Sequence, residues 1–501
     1  MMIGNLFFRV GGYIYRLLMG RMLGPDGYGI LGLTFFFVGI FQILSAGGFP
    51  PAIAKFVSQY NAIDEKEMSR QIIVTSIKYM MITGVLLGLL MFFAAPWITT
   101  TIFHKPEATL PFQAIALITP FSVIVGVFRG VFQGVYRMEF IVASRAVEQS
   151  FMIGFAVVLV AIGFYVAGAV VGIGLGFLAS VIVTFILFKK YIWVNFPKPV
   201  SNFSFIDELK LLKMLLLFSI PVTVTALSEI SIFGVSTFVI GIYMASNYLG
   251  YYSAADPISR LPLIISLSVA TAILPAASEA NSLKDKRLLN RYVTESYRYV
   301  VMTVFPLCIG IALFADSLIS TLFGAEYISG APVLSILIIG MTFYSLYMVS
   351  SSILQGMGHP RRPMYILIIG TLINILLNFI MVPLYGIMGA AIATTIAAFL
   401  IMVFVLWQAF SITKVKIPYL DFTKIGIASL IMGIPLFILP QTALGLLVAI
   451  IISPFIFLFA FAFIGGFTKK DIEIFRKYIS KLGPFSNMAN KFINTLERFA
   501  K

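Results

Sequence analysis

Two short polar stretches decide how this chain folds: "FQGVYRMEF" (Phe132–Phe140) and "LQGMGHPRRP" (Leu354–Pro363). Each places an apolar residue and Gln-Gly at the end of a long apolar run, then basic residues before the next run. Glycines and paired arginines also suit a phosphate-binding turn, so the second stretch by itself is ambiguous. Its recurrence removes most of the ambiguity. Gly356 and Gly358 permit a tight turn, and Pro360 and Pro363 stop one helix and start the next. Arg361 and Arg362 then anchor the turn at a membrane interface. A turn used twice points to a duplicated architecture.

The composition defines the class. The chain is 60% hydrophobic and only 11% charged, with 48 Phe among 501 residues. A soluble domain carries roughly 25% charged residues. Apolar runs of about 18 or more residues recur along the whole length, as transmembrane helices require. Lipid cannot hydrogen-bond the backbone, so these runs are expected to be helical. The single Cys308 excludes an internal disulfide framework. Residues 1–23 lack the uncharged core and small-residue cleavage site of a secretory signal.

Fourteen helices are expected near 3–22, 28–51, 71–95, 110–134, 140–163, 167–188, 212–240, 247–275, 295–315, 332–355, 363–383, 386–410, 422–439 and 443–467. With the N-terminus in the cytoplasm, inner segments collect most of the 35 Lys and Arg, including Lys55, Arg137, Lys189, Lys286 and Arg362, and the C-terminus is also cytoplasmic. The outer loops hold Arg21 and Lys105. The net charge of +15 thus suits anionic lipid headgroups of the inner leaflet, and nucleic acid need not be invoked. The tail 469–501 carries apolar residues at helical spacing among lysines, consistent either with lying on that leaflet or with a solvated end.

Sliding the chain against itself by 221 residues places Gly29 on Gly250, Asp64 on Asp285 and Lys66 on Arg287. Gly168-Ala169 falls on Gly389-Ala390, and one residue of slip brings Gln133-Gly134 onto Gln355-Gly356. The expected organisation is an N-terminal six-helix bundle (1–190), a cytoplasmic linker (191–211), a C-terminal six-helix bundle (212–410), two added helices (422–467) and a basic tail (468–501). Six is even, so the bundles are parallel repeats around a central cavity.

At this point the residues resemble a family. "RMLGPDGYG" (21–29) follows a first helix bearing Arg9 and Arg16, the second helix carries prolines, and "STFVIG" (236–241) lies in the seventh. With "LQGMGHPRRP" these look like the polysaccharide flippases of the multidrug/oligosaccharidyl-lipid/polysaccharide exporter superfamily. The basic Gly-Arg loop of major facilitators is absent between helices 2 and 3. The resemblance implies a lipid-linked oligosaccharide, held by its phosphate or pyrophosphate and carried across a prokaryotic plasma membrane by alternating access. It implies a functional monomer, since one chain supplies both cavity walls.

An ionisable residue inside a bilayer costs a few kcal/mol and usually faces a cavity or a partner. Candidates for the anionic headgroup are Arg9 and Arg16, on one face of helix 1, and Arg260, deep in helix 8. Arg129 and Lys78 lie nearer the cytoplasmic ends of their helices, where snorkelling competes with cavity lining. Asp256 stands one turn before Arg260 and can pair with it, so the two form a possible gate. Glu229 and Ser236 on helix 7 fall, with a slip of 220, on Arg9 and Arg16, giving one basic and one acidic wall. Relatives that flip the peptidoglycan precursor place sodium among helices 7, 11 and 12. The resemblance therefore nominates Glu229, Asn374, Asn378 and Thr394 for a sodium ion, although Ser236 stands where many relatives carry an aspartate, and Asn378 stands where a second aspartate would have strengthened the case. Asparagines that merely bond across helices, proton coupling and potential-driven transport are the alternatives.

No cofactor is implied, and enzymatic chemistry finds little support. His104 and His359 fall on opposite sides of the membrane, and no metal-spaced cluster, phosphate loop or nucleophile elbow occurs. "GIGLG" (172–176) lies within a helix and reads as close helix packing. A cation-coupled drug exporter of the same superfamily is the main alternative. A membrane glycosyltransferase or ligase would need larger outer loops.

Overall fold

The computed structural model describes residues 2–197, 204–415, 419–467 and 471; side chains 2–9 and 195 lie outside the description. The described residues form helices and turns, without a strand. Fifteen α-helices follow one another: α1 (Met2–Ala46), α2 (Phe49–Ala62), α3 (Lys66–Trp97), α4 (Thr109–Gly134), α5 (Met138–Leu159), α6 (Tyr165–Tyr191), α7 (Phe205–Tyr243) and α8 (Ser246–Ser259). The remainder are α9 (Leu261–Ser282), α10 (Lys286–Leu313), α11 (Ala315–Leu322), α12 (Ala331–Gly356), α13 (Arg361–Thr413), α14 (Tyr419–Ile438) and α15 (Ala443–Phe463).

Eleven stretches among the described residues are long and apolar enough to cross a membrane. Three of them, Val10–Ala62, Met138–Tyr191 and Arg361–Thr413, are 53 or 54 residues long, twice what a bilayer needs. Each turns at a glycine with positive φ: Gly24 (65°), Gly163 (99°) and Gly386 (60°). Counting each as two crossings yields the fourteen helices expected. This is the all-α membrane architecture that the composition required.

Both opening stretches form the same helix end. Arg137 N–H donates to Phe132 O and His359 N–H to Leu354 O, each at 2.8 Å, while Tyr136 and Gly358 take the left-handed conformation. These bonds, from five residues on, satisfy carbonyls that the helix leaves open. A second pair of ends repeats 220 residues apart. Asp64 (φ 60°) and Lys284 (φ 53°) turn left-handed, with Glu65 N bonded to Tyr60 O and Asp285 N to Ala280 O. The structural match there is one residue shorter than the slide of 221, so Asp64 corresponds to Lys284 and not to Asp285. The outer turns match too, with His104 and Gly324 both at positive φ.

The chain makes two compact units, one of Met1–Ala254 with Asn378–Ala390, the other of Ala255–Leu377 with Ala391–Lys501. In the first, Ile53, Val57, Ile72, Val127, Phe132 and Leu215 form a core among α2, α3, α4 and α7. Helices α5 and α6 approach closely because Gly172 leaves no room for a side chain. A Cβ there would stand 2.6 Å from the Ala156 backbone, and one on Gly176 would stand 2.8 Å from Glu148 O. The "GIGLG" run is thus a packing seam. In the second unit, Val293, Tyr297, Val301, Val349, Ile353, Ile425 and Phe461 join α10, α12, α14 and α15.

Within the linker, Trp193–Asn195 forms one 3-10 turn. Arg70 stacks 4.2 Å over the Trp193 ring and donates to Pro197 O. The expected amphipathic tail lies outside the described residues except for Asp471.

Candidate functional site

The placement of the intramembrane charges differs from residue to residue. Arg9 lies on α1, but its side chain is outside the described residues. Arg16, two turns on, is half-buried with its guanidinium 5.2 Å above the Phe35 ring, an arrangement that stabilises a desolvated cation. Lys78 on α3 is half-exposed and reaches Glu208 at 2.7 Å. That carboxylate belongs to the first turn of α7, 130 residues later in the chain.

Arg129 is bound by side chains of two neighbouring helices. Its Nη2 donates to Glu148 Oε2 at 2.7 Å and to Ser180 at 3.3 Å, and its Nε donates to Ser144 at 3.0 Å. The ion pair is about 15% exposed on either side. One side chain therefore ties α4, α5 and α6 together. Beside it lies a cleft of about 330 Å³ lined by Gln42, Ser122, Arg129, Arg145, Glu148 and Gln149, with Phe177 on one wall. The residues around it were hard to find in sequence, because they come from three apolar helices, Gln42 from α1, Ser122 and Arg129 from α4, and Arg145, Glu148 and Gln149 from α5.

In the second unit, Arg260 does not sit inside a continuous helix. The helix breaks there, between α8 and α9, with Arg260 at φ −85° and ψ −2°. Pro262 explains the interruption, because it offers no N–H to the carbonyl one turn earlier. Arg260 remains within reach of its partner: Nε and Nη2 both donate to Asp256 Oδ1, at 3.0 and 2.6 Å. The arginine is about one-third exposed and the aspartate less, so the expected pair exists in an opened stretch of helix.

The ion candidates differ in burial. Glu229 is exposed on α7, whereas Ser236, two turns on, is fully buried. Asn374 and Asn378 are one turn apart on α13 and fully buried, and Thr394 is nearly so. Glu229 and Asn378 belong to the first unit, Asn374 and Thr394 to the second. Among the described residues no three His, Cys, Asp or Glu side chains converge as a metal site would require. Oxygen donors from amides and hydroxyls suit sodium and would leave no such cluster.

One buried cation was not singled out from sequence. Lys105, in the outer turn between α3 and α4, is 6% exposed. Its ammonium donates to Gly241 O at 2.7 Å and Met244 O at 2.8 Å, capping the C-terminus of α7. Burial lowers its pKa from the usual lysine value, and neighbouring Glu107 opposes that shift.

Residues 1–281 match the family model described as "Polysaccharide biosynthesis protein", and residues 221–380 match a second model, MatE. An uncharacterized membrane protein of Methanocaldococcus jannaschii, MJ1375, is 29% identical over 80% of this chain and 95% of its own length. The lipid II flippase MurJ of Bacillus subtilis is 24% identical over 79% of this chain and 78% of its own. A solved lipid II flippase MurJ, in an inward closed conformation, superposes with a TM-score of 0.75. It covers 92% of this chain and 97% of that one at 18% identity, and so supports the fold.

Proposed function

The chain belongs to the polysaccharide biosynthesis protein family, and from that premise we propose that it is a flippase for a lipid-linked oligosaccharide. The single observation that carries the reading within the structure is the Asp256–Arg260 pair at a break in a membrane-crossing stretch. A cation placed there is costly unless it is used. A phosphate or pyrophosphate can replace Asp256 as the partner of Arg260, since guanidinium binds both in the same forked geometry. Arg16 over Phe35 supplies a further cation in the first unit. Such a protein needs no catalytic group of its own. The reading includes cytoplasmic termini and a monomer as the working form.

The experiment is a flipping assay in liposomes with defined polyprenyl-linked glycans, comparing the wild type with Arg260→Ala. The expected result is glycolipid transfer by the wild type and its loss in the variant. Transfer undiminished in Arg260→Ala, or no transfer of any glycolipid by the wild type, overturns the reading.

Coupling to sodium or a proton is part of the same proposal, with Glu229 as the ion-sensing carboxylate and Asn374, Asn378 and Thr394 as oxygen donors. Glu229→Gln is expected to abolish ion dependence while leaving glycolipid binding; ion dependence that persists removes Glu229 from this role. The match of residues 221–380 to MatE keeps a drug exporter as the second reading. Arg16 and Arg260 disfavour cationic drugs, and transport of an organic cation without a glycolipid would support the exporter instead.

A further inference from the structure

Resting on the flippase reading, we propose that the cleft of the first unit is a sugar subsite: Gln42, Ser122, Arg145, Glu148 and Gln149 bind hydroxyls of one part of the glycan, apart from its phosphate. The lining mixes two arginines with a carboxylate, two glutamines and a serine, a donor-and-acceptor set that suits a polyhydroxyl ligand. Arg129 is already committed to Glu148, Ser144 and Ser180, so its charge is matched inside the fold. A phosphate entering the cleft would meet the Glu148 carboxylate. Vicinal hydroxyls would not be repelled, because they donate to that carboxylate and to the glutamine oxygens while accepting from guanidinium and amide N–H groups. Planar amide, guanidinium and carboxylate groups offer two hydrogen-bonding atoms each, the spacing that neighbouring ring hydroxyls present. Phe177 gives an apolar wall for the face of a sugar ring.

Two further observations argue against a purely structural role. The cleft holds about 330 Å³, at the lower end of small-ligand sites of ~300–1,000 Å³ and suited to one or two sugar rings. Gln149 also turns its Oε1 into a buried position without a hydrogen-bond partner. An acceptor left that way costs about 1–3 kcal/mol. A glutamine kept only for packing would not need to be polar, whereas one that rotates to meet a ligand does. Gly11 on α1 accommodates it: a Cβ there would stand 2.8 Å from that same oxygen.

The test measures binding to the detergent-solubilised full chain of undecaprenyl pyrophosphate alone, of the same carrier bearing N-acetylglucosamine or galactose, and of lipid II. Wild type is expected to bind at least one glycosylated carrier about tenfold tighter than the bare carrier. The Gln42→Ala/Gln149→Ala double variant is expected to lose that difference while binding the bare carrier as the wild type does. A sugar-dependent gain that survives in the double variant, or no gain with any sugar, overturns the subsite while leaving the flippase reading standing. Failure of the wild type to bind any carrier, bare or glycosylated, overturns both. Should the double variant lose its thermal transition, Ser122→Leu, which fills the cleft from another helix, is expected to remove the same sugar-dependent gain.

Discussion

Gly29 and Gly250 lie against one another, so that a Cβ built on Gly29 would stand 2.7 Å from the Gly250 amide nitrogen and would collide with the Ser246 carbonyl. A Cβ on Gly250 would collide in turn with the Pro25 carbonyl. These are the two residues that the 221-residue slide superimposes. The duplicated segments therefore meet at their own equivalent positions, backbone to backbone, within the first unit. Gly29→Ala or Gly250→Ala is expected to destabilise the protein by about 1–3 kcal/mol, since backbone and not a side-chain tip must yield. Thermal melting in detergent checks this; an unchanged transition in either variant refutes it.

Arg298 and Asp471 form the most buried ion pair among the described residues, with the shortest contact at 2.6 Å and Asp471 only 2% exposed. Arg298 also donates to Gly466 O at 2.7 Å, which fixes the start of the tail on α10. Lys78, 220 residues before Arg298, makes the comparable reach to Glu208. Breaking the buried pair with Asp471→Asn is expected to destabilise the protein, because it leaves Arg298 only the longer 3.8 Å carboxylate contact with Asp421. Lys78→Met, at a half-exposed and solvent-screened site, is expected to cost much less. Paired melting curves decide whether burial sets this order.

The Arg129–Glu148 pair predicts non-additivity. Arg129→Met and Glu148→Leu are each expected to lower stability by leaving the other's charge unpaired, with the double variant less damaged than the sum because it leaves no unpaired member of the pair. A double-mutant cycle measured by thermal unfolding provides the number, and strict additivity would show that the pair is not coupled.

Lys105→Met is expected to cost about 1–3 kcal/mol, since it leaves the Gly241 and Met244 carbonyls at the buried end of α7 without their donor. Lys105→Arg is not expected to rescue it, because a fork is bulkier than the ammonium at a 6% exposed site. Rescue by arginine would show that charge alone matters there.

Apolar runs, charge asymmetry and two Gln-Gly turns were enough to determine an all-α membrane chain of about fourteen crossings, because lipid leaves the backbone no alternative to helix. The repeat was legible for the same reason: helix ends require left-handed residues at fixed places, and Tyr136 and Gly358 keep those places in both copies. The sequence also paired Asp256 with Arg260, since the two are one helical turn apart. It could not reveal that Pro262 opens the helix at Arg260, nor that Arg129 is tied to Glu148, Ser144 and Ser180. Those contacts join residues 15 to 51 positions apart on three helices. Periodicity reports which face of a helix is apolar, but not which helix that face will meet. Only the packing decided that Gln42, Ser122, Arg145 and Gln149, each unremarkable in its own helix, line a single polar cleft.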